Sequence, residues 1–256
     1  MRMIKAFFIA FSIYSNIPVP QFAWKEEDMK YMLCFFPWVG AAIGICFYCW
    51  NRLCEMFGIG ELCRVAAGMA IPLLLTGGFH VDGFLDTMDA FHSYQPREKK
   101  LQILKDSHIG AFAVIMLAAY GLVCLAALSE IKSGAPLQIV CMGFFLARCL
   151  SGIGVVSFPL ARKDGMLAQF ADSSQKKTVA CLLWLQCALC VGGMLACSFA
   201  AGVLVAAAAF GIFAYYGARC HRELGGITGD TAGYFVLLCE LGIAAAAAAC
   251  KIGGIG

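Results

Sequence analysis

"TVACLLWLQCALCVGGMLACSFAAGVLVAAAAFGIFAYYGA", residues 178–218, runs for 41 positions without one Asp, Glu, Lys or Arg. A helix rises 1.5 Å per residue and the hydrocarbon core of a bilayer is about 30 Å thick, so about 20 apolar residues make one crossing. This run therefore reads as two crossings with a tight turn near Ser198 to Gly202. The same measure finds spans at 31–50, 65–79, 109–128, 133–161 and 231–250. The second is short and runs into Gly77-Gly78, and Arg148 and Glu240 interrupt two of the others. The predicted fold is all-α: a polytopic integral membrane helical bundle of about seven transmembrane helices, forming one domain over 1–256. Residues 4–17 read as an N-terminal interfacial helix, because Pro18 and Pro20 stop it and charges follow. Residues 1–30 then form an interfacial N-terminal segment.

Composition agrees. The chain is 61% hydrophobic and 14% charged, against roughly 25% charge in a soluble domain. The lipid bilayer is the partner this implies; no nucleic-acid partner is expected. The 15 cysteines are scattered through apolar runs. Cys46/Cys49 and Cys187/Cys190 have metal-ligand spacing, yet no histidine or second pair stands in either run. They read as small apolar residues in helices. No cleavable signal peptide is expected, since "NIPVP" follows the first apolar stretch where a small-residue cleavage site would be needed.

Seven spans place residues 1–30, 80–108, 158–177 and 219–230 on one face. Of the 19 Lys and Arg, only Arg52, Arg64, Lys132 and Lys251 fall on the other face, and Arg148 lies within a span. The excess of cations makes the first face cytoplasmic. The loops with unusual chemistry lie there too: "HVDGFLDTMDAF", "KDSHIGAF", "ARKDG" and "GGITGD". A transporter would be expected to place functional polar groups through its depth. One-sided chemistry fits an enzyme working on cytosolic substrates at a membrane surface.

Asp82, Asp86 and Asp89 stand at i, i+4 and i+7 in the 80–108 Asp-rich segment, so on a helix they share one face. Nothing on that helix offers a counter-charge. A divalent cation would relieve the repulsion, and hard oxygen ligands favour Mg²⁺ or Mn²⁺ over zinc. Such an ion keeps positions open for substrate phosphate, whose remaining oxygens call for cations; Lys105, Arg162 and, more weakly, Lys163 are the candidates. In "GGITGD" (225–230) the glycines would let backbone amides approach an anion, and Asp230 would complete a metal site. Gly226 and Thr228 of that loop join the phosphate-binding candidates. Asp106 precedes a span, where helix capping is the simpler account. His80 and His92 flank the aspartates; a structural hydrogen bond is their commoner use. Arg148 and Glu240 fall at similar depth within the core, where an isolated charge costs at least about 2.5–3.5 kcal/mol, and are expected to face each other below the metal site.

These motifs in this order resemble the cobalamin synthase family, the adenosylcobinamide-GDP ribazoletransferases. The resemblance rests on "FFPWVGAAIG" (35–44), "TGGFHVDGFLDTMDAF" (76–91), "KDSHIGAFAV" (105–114), "ARKDG" (161–165) and "GGITGDTAGYFVLLCELG" (225–242), and covers nearly the whole chain. It implies a Mg²⁺-dependent phosphotransferase of the bacterial inner membrane. A hydroxyl of α-ribazole, or of its 5′-phosphate, attacks the cobinamide-bound phosphorus of adenosylcobinamide-GDP, and GMP leaves. Asp82, Asp86 and Asp230 are then expected as metal ligands, with Asp89 or Asp106 orienting or deprotonating the hydroxyl. His80 joins Lys105 and Arg162 as a substrate-binding candidate, and other cobalamin-assembly enzymes at the membrane are conceivable partners. Two rival readings remain: a CDP-alcohol phosphotransferase, disfavoured because "FLDT" rather than Ala-Arg follows Asp82-Gly83, and a divalent-cation transporter.

Overall fold

A computed structural model describes residues 2–20 and 25–254; residues 21–24 of the expected interfacial segment lie outside the described residues. Helix α1 (Arg2–Tyr14), the short α2 (Glu26–Met29) and a 3₁₀ turn (Met32–Phe35) lead into α3 (Phe36–Met56), which opens with a proline at its first turn. Next come α4 (Glu61–Thr76), α5 (Phe79–His92), α6 (Arg97–Ile103) and α7 (Ala111–Ser129). The chain closes with α8 (Gly134–Ser157), α9 (Met166–Ser173), α10 (Lys176–Cys197), α11 (Phe199–Leu224) and α12 (Gly229–Ile252).

Six segments are long and apolar enough to cross a membrane, and α4 with α5 passes the same test as a bent pair. The bend between them is 96°. Gly77 closes α4 and Gly78 opens α5 with φ of 64° and 78°, a left-handed pair that glycine adopts without a Cβ clash. Contacts at the two ends fix which part crosses. The start of α4 meets the end of α7 through Glu61 and Lys132, 2.6 Å apart. Buried Arg64, one turn into α4, donates to Asn51 Oδ1 (2.7 Å) and to the carbonyls of Ile131 (2.8 Å) and Leu128 (3.3 Å). Helix α5 lies at the opposite end of the bundle, against the start of α12, where a Cβ on Gly83 would stand 2.6 Å from the Asp230 carbonyl oxygen. So α4 makes the crossing, and α5 turns off it at the loop face carrying the aspartates. This gives seven crossing helices among the described residues, α3, α4, α7, α8, α10, α11 and α12.

Helix α8 is the centre. It packs on α3, α10, α11 and α12, and Leu146, Ala147, Cys149 and Leu150 in its middle are fully buried. By contrast α7 turns Val114, Ile115, Leu122 and Val123 outward, as a lipid-facing helix should. Helix α1 does more than lie at an interface: Ala6, Ile9, Ala10, Phe11 and Tyr14 are buried against the turn and α3. Several boundaries move from the sequence expectation, among them the first span, now Phe36–Met56 rather than 31–50, and two have a visible cause. The fourth span ends at Ser157 rather than 161, because the chain from Phe158 is extended and pairs with the 225–228 loop. The second begins at Glu61 rather than 65, because partners at hand pair the charges of Glu61 and Arg64. The 15 cysteines are free thiols, and no three His, Cys, Asp or Glu among the described residues gather closely enough to hold a metal.

Candidate active site

The site forms where three segments meet at the loop face. The first is α5. The absence of a side chain at Gly83 lets α5 lie directly on the first turn of α12, bringing Asp82 to the edge of a cleft of about 330 Å³ lined also by Lys105, Arg162, Asp164, Thr228 and Asp230. The second is the 225–228 loop, which pairs with residues 159–161: Ala161 N–H donates to the Ile227 carbonyl and Ile227 N–H to the Pro159 carbonyl, both 2.9 Å. The third is the start of α12. Thr228 caps it, accepting from Thr231 N–H at 3.2 Å, and its hydroxyl donates to Asp230 Oδ2 at 3.3 Å.

Charge is unevenly matched within the cleft. Arg162 lies 3.2 Å from Asp230 and Lys105 2.9 Å from Asp164; Lys105 and Arg162 hold the Asp164 carboxyl below its usual range. The Asp82 and Asp86 carboxylates have no hydrogen bond or ion pair among the described residues; Asp82 lines the cleft, whereas Asp86, one turn further along α5, is outside its lining. Burial, reinforced by Asp82, Asp230 and Asp89, pushes the Asp86 carboxyl up to about 6. Burial alone disfavours the charged carboxylate, and the neighbouring carboxylates add to it. The donors are hard oxygens and suit Mg²⁺ in kind, although their oxygens do not converge on one point.

Other candidates sit differently from expectation. Asp89 is a helix cap: its oxygens accept from Gly110 N–H (2.6 Å) and Ala113 N–H (2.9 Å), satisfying orphan amides at the start of α7. With both oxygens engaged it is poorly placed to take a proton. Asp106 is exposed and accepts from His108 N–H and faces its ring Nδ1 at 2.6 Å, away from the cleft lining. Gly226 serves packing, since a Cβ there would collide with the Pro159 carbonyl. Lys163 is outside the lining, and His92 Nδ1 bonds the Met88 carbonyl at 2.8 Å. His80 is buried behind the cleft, stacked on Phe36 at 5.8 Å. Asp164 is the cleft residue that the sequence reading passed over, although "ARKDG" had been singled out; a carboxylate between two expected phosphate cations gave no signal until Lys105 was seen beside it.

Arg148 and Glu240 do meet. Arg148 Nη1 lies 2.7 Å from Glu240 Oε1 and donates also to the Phe144 carbonyl at 2.8 Å. Because α8 ends at Ser157, Arg148 is nine residues, about 14 Å, from its loop-face end, and Glu240 is ten residues, about 15 Å, from Asp230. The depths match more closely than the span 133–161 suggested.

A bundle of membrane-crossing helices with a cleft of carboxylates and cations at one face defines a polytopic membrane protein whose polar chemistry is gathered at one end. The chain belongs to the cobalamin-5-phosphate synthase family, whose model matches residues 6–248. It is 38% identical to the adenosylcobinamide-GDP ribazoletransferase of Lachnoclostridium phytofermentans over 94% of this chain and 92% of that one. The proteins of the same name from Desulfitobacterium hafniense (31% identical, covering 94% and 95%) and Clostridium perfringens strain SM101 (30%, covering 92% and 94%) are also similar. No solved structure matches.

Proposed function

We propose that this chain joins α-ribazole, or its 5′-phosphate, to adenosylcobinamide-GDP with release of GMP, using Mg²⁺ at the cytoplasmic face of the bacterial inner membrane. The observation that carries the reading, beside family membership, is the cleft that gathers Asp82 and Asp230 with Lys105 and Arg162, with Asp86 one helical turn behind Asp82 on α5. Phosphoryl transfer asks a protein for positioning and charge neutralisation more than for a covalent catalyst. Asp82, Asp86 and Asp230 are the residues to hold Mg²⁺, which when bound would neutralise phosphate oxygens. Lys105 and Arg162, now paired with Asp164 and Asp230, would exchange those carboxylates for substrate phosphates. Thr228 steadies Asp230 through its hydroxyl, and Asp89 fixes α5 against α7 so that Asp82 and Asp86 keep their place.

Incubating the purified protein with adenosylcobinamide-GDP, α-ribazole and Mg²⁺ tests this directly. Cobalamin and GMP should appear together by chromatography, and neither should form without the metal. Omission of Mg²⁺ with undiminished turnover would remove the metal from the reading. The cytoplasmic assignment is tested by reporter fusions, expected to place residues 95, 170 and 222 inside and 57 and 132 outside; a periplasmic 95 would overturn it.

A further inference from the structure

A hydroxyl that attacks phosphorus gives up its proton, and the acceptor must lie within hydrogen-bond reach of it. Asp89 and Asp106, the acceptors suggested by the sequence, are engaged elsewhere: Asp89 caps α7, and Asp106 faces His108 outside the cleft lining. The lining holds three carboxylates among the described residues, Asp82, Asp164 and Asp230, and no histidine. Asp82 and Asp230 are the residues expected to hold metal, and Asp230 already pairs with Thr228 and Arg162. Asp164 remains. It stands in the bend between the extended chain at 158–161 and α9. Gly165 beside it, with φ of 97°, takes a left-handed step that a Cβ would strain. The ion-pair partner of Asp164 is Lys105, 2.9 Å away, which arrives from the loop between α6 and α7.

We propose that Asp164 accepts the proton of the attacking hydroxyl, and that substrate phosphate frees it to do so by drawing Lys105 away. The inference rests on the ribazole-transfer reading above. Without substrate, Lys105 neutralises Asp164 and holds its carboxyl below the usual range. The side chains of this pair are 56% and 69% exposed, so little is lost when it opens, and a phosphate offers Lys105 several anionic oxygens in exchange. Asp164 is then an unpaired carboxylate beside the bound diphosphate. The O–H bond of the attacking hydroxyl breaks, its proton passes to an Asp164 carboxylate oxygen, and its oxygen bonds the cobinamide-bound phosphorus. The bond from that phosphorus to the bridging oxygen breaks, and the electron pair leaves with GMP. Exposure lets Asp164 pass the proton on to water and begin the next cycle as a carboxylate. One lysine thereby couples substrate binding to release of the base. Accepting a hydroxyl proton is a known use of a carboxylate in phosphoryl transfer.

The test begins with the unaltered protein, turning over adenosylcobinamide-GDP and α-ribazole with Mg²⁺. Absence of product there defeats the functional reading and this inference with it, whereas the following arms address Asp164 alone. Asp164→Ala should slow single turnover at saturating substrates about 10²-fold, while KM for adenosylcobinamide-GDP does not rise. Asp164→Asn accepts a hydrogen bond but no proton, and should be as slow. Formate, which fits the space left at this exposed position, should speed Asp164→Ala at least about tenfold and leave Asp82→Ala unchanged. GMP binding, measured by calorimetry without turnover, should tighten about two- to fivefold in Asp164→Ala, the worth of an exposed ion pair that no longer holds Lys105. Near-normal turnover by Asp164→Asn, or a loss in Asp164→Ala that formate does not relieve, overturns the proton-accepting role. GMP binding no tighter than in the unaltered protein overturns the coupling through Lys105.

Discussion

Two groups of charges lie about 15 Å apart along α12 and are treated in opposite ways. Deep in the bundle, Arg148 and Glu240 satisfy each other at 2.7 Å. At the loop face Asp82 and Asp86 have no partner among the described residues, and Asp86 is pushed up to about 6. Inside hydrocarbon an unpaired charge is too costly to keep, so the fold supplies its counter-ion. At the water-facing end solvent tolerates the imbalance, and the deficit is left for a ligand to fill. Buried pairing marks a charge that holds structure; at the water-facing end pairs such as Arg162–Asp230 are exposed enough to be exchanged, and Asp82 and Asp86 have none to exchange.

The comparison breaks most readily at the loop face. Asp82→Ala, Asp86→Ala or Asp230→Ala should each cut turnover by roughly 10²–10³ or more, with the melting temperature in detergent hardly changed. A variant keeping near-normal turnover at saturating Mg²⁺ would show that its carboxylate is not a ligand. The deep pair should do the reverse. Glu240→Gln leaves Arg148 uncompensated and should cost about 3–5 kcal/mol of stability, and joining it to Arg148→Met should recover part of that. Equal stability of both single variants and the parent would dissolve the pair.

Asp89 offers an internal control, being a carboxylate of the same helix spent on capping. Asp89→Asn should cost about 1 kcal/mol by loss of charge and one cap acceptor, read as a modest fall in melting temperature, while Asp82→Asn abolishes turnover. An Asp89→Asn variant as dead as Asp82→Asn would return the proton-transfer role to Asp89. The smallest effect is on pH dependence. With its ordinary value raised to about 6, the Asp86 carboxyl takes up a proton as pH falls through 6, so Mg²⁺ must displace it. At limiting Mg²⁺ turnover should fall below about pH 6, and higher Mg²⁺ should move that fall to lower pH; an inflection indifferent to Mg²⁺ would belong to another group.

The spans were legible because hydrocarbon imposes a length and a composition that 20 residues either meet or fail. The 41-residue uncharged run divides where Ser198 separates α10 from α11, and the Gly77-Gly78 break was visible as two adjacent glycines. The carboxylates of α5 were legible for a similar reason, since helical spacing alone puts Asp82, Asp86 and Asp89 on one face. Which of the three stays free was not legible. That depends on the amides of Gly110 and Ala113 arriving from 21 and 24 residues away, a contact made by packing and not by spacing. The same holds for Gly226, which looked like an anion loop until the extended segment 159–161 lay against it, and for Asp164, whose partner Lys105 is 59 residues away. Arg148 and Glu240 stood between these cases. Desolvation cost told from sequence that each needed a partner, and only the place where α8 ends set their depths equal. Local periodicity and the price of burial act on every residue in turn, so one dimension records them; who satisfies whom is decided across the bundle, by helices that meet only once the chain has folded.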